Sequence, residues 1–263
     1  MHTLSAPLAA RVRRLATTVA CAGAAILAAS NAAHAQSTPP TATLRFDEAG
    51  ALAFTGPYGS PDVGRLKATF LSLPGNASAN TPIDAFCIDI LHEVTFDPNG
   101  WNVYLTNLGD SSISYTRQGT RSFNPGPDAL TRYRKAAWLV DQYSKVSTLT
   151  DTAGIQGAMW LQFEPTLAPY DYATAGEAQA VATWEAAADA FAGSANFATY
   201  DWRRFTVLTD VNSAGIGDDY HGMQELITES PITATPEPTT VALLGVSLVG
   251  TGLVARRRAS RNA

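Results

Sequence analysis

The chain has 263 residues and a formal net charge of −5, with 46% hydrophobic and 16% charged residues. That apolar content excludes a disordered acidic chain. The charge is unevenly placed. Residues 1–35 carry Arg11, Arg13 and Arg14 and no acid, and residues 256–263 carry four Arg and no acid. The stretch between holds the other 11 Lys and Arg against all 23 Asp and Glu, a net of −12, which excludes a clustered cationic surface for nucleic acid.

The N-terminus reads as a secretory signal peptide over 1–35. A basic region precedes an apolar stretch from Leu15 to Ala29, and Ala33-His34-Ala35 is an A-x-A site for signal peptidase, with cleavage between Ala35 and Gln36. Residues 36–230 form the exported body, led in by a Ser/Thr/Pro-rich segment. Its first half reads as strands: Thr43 to Phe46, part of Gly64 to Leu73, Ala85 to Phe96 and Asn102 to Leu105, punctuated by Gly and Pro clusters. Helical periodicity follows. Ala129 to Tyr143 puts Leu130, Tyr133, Ala137, Leu139 and Val140 on one face, and Ala153 to Phe163 repeats Ile155, Met159 and Phe163 at four-residue spacing. Thr174 to Ala192 aligns Val181, Trp184, Ala188 and Phe191. Strands return at Phe205 to Asp210 and Gln224 to Thr228. This order predicts an α+β fold, a mostly antiparallel β body with a helical insert.

Residues 231–263 are a second address. Pro236-Glu237-Pro238 precedes an uncharged run of 17 residues, 239–255, then Arg256-Arg257-Arg258. The run predicts a short transmembrane helix, and the arginines predict a cytoplasmic C-terminal end, with the body on the periplasmic side. These three parts in order resemble the PEP-CTERM sorting signal of Gram-negative bacteria, also labelled an ice-binding protein C-terminal domain. The resemblance implies recognition by an exosortase, anchorage in the inner membrane before processing, and delivery to the cell envelope or beyond. No repeated Thr array of an ice-binding face occurs.

Cys21 leaves with the signal peptide, so Cys87 is the single cysteine of the mature chain. An intramolecular disulfide is excluded, and so is a Cys/His metal cluster, because only His92 and His221 remain. The thiol is then buried and inert, paired between chains, or chemically occupied. Three patterns bear on the choice: Phe86-Cys87-Ile88-Asp89, the helical stretch Trp138-Leu139-Val140-Asp141-Gln142-Tyr143, and Ile155-Gln156-Gly157-Ala158-Met159-Trp160. Together, over residues 84–163, they resemble the thioester domains of bacterial surface adhesins. The resemblance implies a bond between Cys87 Sγ and the side-chain carbonyl carbon of Gln156, and covalent capture of a surface ligand without turnover, at most a single acyl transfer. Asp89, on the strand face of Cys87, and His92, off it, are candidate proton carriers. The alternative function is a non-covalent structural or carbohydrate-binding matrix protein with a free buried cysteine.

Other patterns carry less. Asp210 to Gly215 starts like a calcium loop, but Ala214 and His221 fall where ligands are needed, so a turn is expected and no metal or cofactor is predicted. Asp97-Pro98-Asn99-Gly100 is a turn. The five tryptophans are expected mostly in the core, and there is no glycosidase spacing, phosphate loop or nucleophile elbow.

Overall fold

The computed structural model describes residues 40–48, 52–53, 62–90, 92, 94–110, 112–119, 128–165, 174–212 and 222–229. The body is a closed antiparallel barrel with a few helices, which is the expected α+β character in more specific form. Its strands are β1 (Thr41–Glu48), β4 (Arg65–Ser72), β5 (Thr81–Cys87), β6 (Trp101–Asn107), β7 (Thr206–Asp210) and β8 (Leu226–Thr228), in the order β1-β4-β5-β8-β7-β6 with β6 returning to β1. Two short strands, β2 (Leu52–Ala53) and β3 (Asp62–Val63), pair separately. The candidate signal peptide, cleavage residues Ala35 and Gln36, sorting residues 236–258 and span 239–255 all lie outside the described residues. Among the described residues, no helix is long and apolar enough to cross a membrane.

Alternation sorts the strand side chains onto two faces. Leu44, Phe46, Leu66, Ala68, Phe70, Ile83, Ala85, Cys87, Val103, Leu208 and Leu226 fill one core cluster, inside the barrel. Phe86, Val207 and Ile227 point the other way, into a second cluster built with the helices. Helix α1 (Ala129–Tyr143) has the bounds its periodicity predicts and buries Tyr133, Ala136, Ala137, Leu139 and Val140 there. Helix α2 (Leu149–Leu161) begins a turn earlier than Ala153, because Thr148 caps it by accepting from the Asp151 N–H at 3.0 Å. It belongs to both clusters, giving Ala153, Trp160 and Leu161 to the first and Ile155, Ala158 and Met159 to the second. Helix α3 (Ala175–Ala192) opens on a capping box between Thr174 and Glu177. A short helix α4 (Ala195–Thr199) and a 3-10 turn at Trp202–Arg204 lead into β7.

The predicted strand from Ala85 to Phe96 is displaced: β5 starts earlier and stops at Cys87. Beyond it Ile88 keeps one bond in the β5–β8 register, and Asp89 turns to side-chain partners. Ile88 donates to Glu225 O at 3.1 Å, and Asp89 O accepts from the Cys87 thiol and the Gln224 amide. The turn expected at Asp97–Gly100 is present, and of the one expected at Asp210–Gly215 only Asp210–Asn212 lie among the described residues. Asn99 N–H donates to Asp97 Oδ1 at 2.8 Å, and Gly100 takes φ +68°. Asp210 accepts from the N–H groups of Asn212 (2.9 Å) and Met223 (2.8 Å), and so ties the end of β7 to the segment before β8.

Helices α2 and α3 meet through glycine. A Cβ on Gly154 would lie 2.7 Å from Ala180 Cβ, 2.9 Å from the Ala180 carbonyl carbon and 2.9 Å from Trp184 Cδ1. Helix propensity alone favours Gly154→Ala by about 1 kcal/mol. Overpacking against a backbone that cannot yield costs about 1–3 kcal/mol. The variant is therefore expected to unfold at a lower urea midpoint than the parent, and an unchanged or higher midpoint contradicts this packing.

Candidate functional site

Cys87 ends β5 inside the barrel, and Gln156 sits in the second turn of α2. The structure brings the two together. The Gln156 Nε2 amide donates to the Cys87 carbonyl oxygen at 2.6 Å, and its Oε1 accepts from the Gly64 N–H at 3.3 Å. One helical turn on, the Trp160 indole Nε1–H points at Cys87 Sγ at 3.2 Å. The thiol itself donates to Asp89 O at 3.1 Å. Gln156 and Trp160 are fully buried and Cys87 is 2% exposed.

The strand register explains where the carboxamide sits. β4 and β5 pair Leu66 with Ala85 and Arg65 with Phe86. The next pair in that register is Gly64 with Cys87, and there the ladder opens. The Gln156 carboxamide fills the gap as a side-chain peptide group, taking the Gly64 N–H on one side and the Cys87 carbonyl on the other. Its orientation is fixed, because the reversed amide would set NH2 against N–H and oxygen against oxygen. Gly64 is required twice over. Its φ is +101°, and a Cβ there would lie 2.4 Å from the Tyr143 hydroxyl oxygen. Gly64 was not singled out as part of a site from the sequence, whereas Tyr143 ends the second of the three motifs read there; their meeting arises from pairing across the fold.

Burial pushes the Cys87 thiol well above its ordinary range, and the Trp160 N–H acts against that shift. At 2% exposure the sulfur is shut away from any partner chain, so the inter-chain disulfide weighed from the sequence does not fit this fold. A cleft of about 250 Å³ opens nearby along the chain, with Arg65, Phe86 and Ser144 in its wall, the neighbours of Gly64, Cys87 and Tyr143.

Asp89 and His92 stand differently from expectation. Asp89 lies beyond the end of β5, so strand alternation does not govern it, and its contact with Cys87 runs through its main-chain oxygen. Its carboxylate meets His92 Nδ1 at 2.6 Å and Arg117 Nε at 3.1 Å, while His92 Nε2 meets Arg117 Nη1 at 2.9 Å. His92 Nε2 thus has a partner other than the sulfur, while Nδ1 lies against the Asp89 carboxylate without an aligned hydrogen bond. Among the described residues, no group of three His, Cys, Asp or Glu is arranged to hold a metal ion. His221 lies outside the described residues.

Arg117 also joins a second buried polar group that the sequence reading missed. Glu225, just before β8, accepts from Thr209 Oγ1 (2.6 Å), the Tyr133 hydroxyl (2.6 Å) and the Arg117 N–H (2.9 Å). An acid abutting the apolar start of β8 was the available signal. Burial raises the Glu225 pKa, and the three donors oppose that without cancelling it. Burial, followed by the Glu225 charge, raises Tyr133 far above its usual value.

The comparisons with known proteins bear on the C-terminus. Residues 234–258 match the PEP-CTERM protein-sorting motif. This marks an exported, exosortase-sorted protein that is membrane-anchored before processing, with the exosortase as its processing partner. No curated protein and no solved structure matches the chain, so the likeness of residues 84–163 to thioester domains stands on its motifs alone.

Glu225 generates a pH dependence. A carboxyl with a raised folded-state pKa binds more protons folded than unfolded. The stability it contributes is fully present below its ordinary value of 4.5 and is lost as the pH rises through the folded value. Urea midpoints measured upward from pH 4.5 should therefore fall in the parent relative to Glu225→Gln, whose carboxamide does not titrate. Parallel midpoint curves would mean that Glu225 titrates normally.

Proposed function

We propose that this exported protein is a cell-envelope or extracellular-matrix adhesin that captures its ligand covalently through a Cys87–Gln156 thioester. The observation that carries the reading is the fixed carboxamide of Gln156, held against the Cys87 main chain while a Trp160 N–H addresses the sulfur. In thioester formation Sγ adds to Gln156 Cδ, the C–N bond breaks, and the thiol proton leaves with the nitrogen as ammonia. Holding both groups in one place replaces a bimolecular encounter by an intramolecular one. A dry interior protects the product from hydrolysis. Capture transfers the Gln156 acyl group to an amine or hydroxyl of the ligand and restores the Cys87 thiol. It happens once per molecule, so the chain acts as a single-use acyl donor.

A second reading is favoured by the ladder geometry itself. The Gln156 carboxamide satisfies two main-chain groups that would otherwise be buried without partners, at about 1–3 kcal/mol each. A non-covalent matrix protein needs Gln156 for that reason alone and keeps a free thiol.

Intact mass separates the two. The thioester protein is lighter than its sequence by one ammonia, Cys87→Ala abolishes the deficit, and methylamine replaces it with the mass of the adduct. An unshifted mass with a thiol that titrates after unfolding leaves the matrix reading. For sorting, deletion of residues 236–263 is expected to release the body as a soluble secreted form. A truncate that stays in the membrane fraction contradicts the sorting assignment.

A further inference from the structure

The Gln156 oxygen faces a donor whose position matters beyond orientation. We propose that the Gly64 main-chain N–H is the oxyanion donor of this site and that the Trp160 indole N–H is the donor to its sulfur. This rests on the thioester reading above and names the groups that carry its chemistry.

The argument follows charge. When Cys87 Sγ adds to Gln156 Cδ, the carbonyl π-electrons move onto Oε1. That atom already accepts from Gly64 N–H at 3.3 Å in a fully buried setting. A donor aimed at developing charge in a water-free site gains strength as the charge forms. Carbon–nitrogen cleavage then returns the electrons to the carbonyl, and ammonia departs with the thiol proton. In the capture step a ligand amine or hydroxyl adds to the same carbon. The same oxygen becomes negative, and sulfur leaves to take up the ligand's proton. One N–H thus serves both directions.

The sulfur carries negative charge as it attacks and again as it leaves. Burial opposes that charge. The Trp160 indole N–H at 3.2 Å is the side-chain donor on it, and indole nitrogen is donor-only, so it favours the thiolate in both steps. Gly64 suits its part for a physical reason. At φ +101° its N–H turns out of the β4 ladder toward α2, a conformation that L side chains rarely adopt.

The test uses the full chain, refolded from denaturant and followed by intact mass. Two changes remove one proton donor each. Trp160→Phe keeps an aromatic ring, and glycolic acid in place of Gly64 turns its amide into an ester with every side chain intact. The proposal expects each to slow ammonia loss at least tenfold. It also expects methylamine cleavage of whatever thioester has formed to slow to a similar degree. A purely structural clamp behaves differently, because the covalent bond replaces it once made, and its removal leaves methylamine cleavage unchanged or faster. Methylamine cleavage at or above the parent rate in the ester variant overturns the proposal while the thioester stands. Absence of ammonia loss in the parent overturns the thioester reading itself. If Trp160→Phe does not fold, the ester variant decides.

Discussion

The architecture turns on one rung of hydrogen bonding at the open end of the β4–β5 ladder. Gly64 N–H and Cys87 C=O stand on either side of a gap in the ladder, and the Gln156 carboxamide closes it. The insertion requires that β5 stop at Cys87, that residue 64 lack a Cβ beneath Tyr143, and that α2 approach the barrel with its second turn inward. The last condition is set elsewhere, by the contact of Gly154 and Gly157 with Ala180 and Val181 of α3. A packing feature on the far side of α2 therefore fixes the depth at which Gln156 enters the barrel.

The segment 87–89 is held from both of its sides. Inside the barrel Cys87 takes Gln156 and Trp160, while Ile88 N–H goes to Glu225 O and Asp89 O accepts from the thiol and Gln224. The Asp89 carboxylate belongs to the Arg117 and His92 cluster, and Arg117 continues to Glu225 and so to Tyr133 of α1. Buried polar networks are costly when incomplete and rigid when satisfied. This one ties the end of β5 to β7, β8 and α1, which denies the sulfur freedom to drift. That restriction is what an intramolecular reaction needs, and it is equally what a close-packed interior produces.

Periodic features were legible in the sequence and cross-chain features were not. The bounds of α1 followed from its repeat of apolar residues because that helix buries one face against a single cluster. The strand expected through Phe96 failed because apolar content persists past Cys87, while the main chain makes one more in-register bond, from Ile88 to Glu225 O, before Asp89 O turns to the Cys87 thiol and the Gln224 side chain. Strand alternation then misled about Asp89, whose carboxylate answers to Arg117, a residue in a loop without periodicity. Cys87 and Gln156 were paired through a resemblance of motifs. Neither spacing nor hydropathy joins residues 69 positions apart, and Gly64 carried no mark at all, since its role depends on a neighbour in each of three elements.

Export and burial bear on each other through the single sulfur. An oxidising compartment threatens an accessible thiol, and a shielded one is kinetically safe whether free or acylated. Burial alone therefore does not distinguish the two chemical states of Cys87. What bears on the difference is the polarity of its surroundings. An inert core cysteine needs only apolar neighbours, whereas this sulfur faces an indole N–H, a main-chain carbonyl and, through its own residue, a carboxamide with both ends committed. Each of those groups also has a structural duty, and the Gln156 duty is the strongest, since two main-chain groups depend on it. Thioester formation would remove the nitrogen that bonds Cys87 O while keeping the oxygen that bonds Gly64 N–H. The covalent link would then have to replace the lost hydrogen bond in holding α2 to β5. The atoms that would be exchanged belong to residues already in contact through the Cys87 main chain.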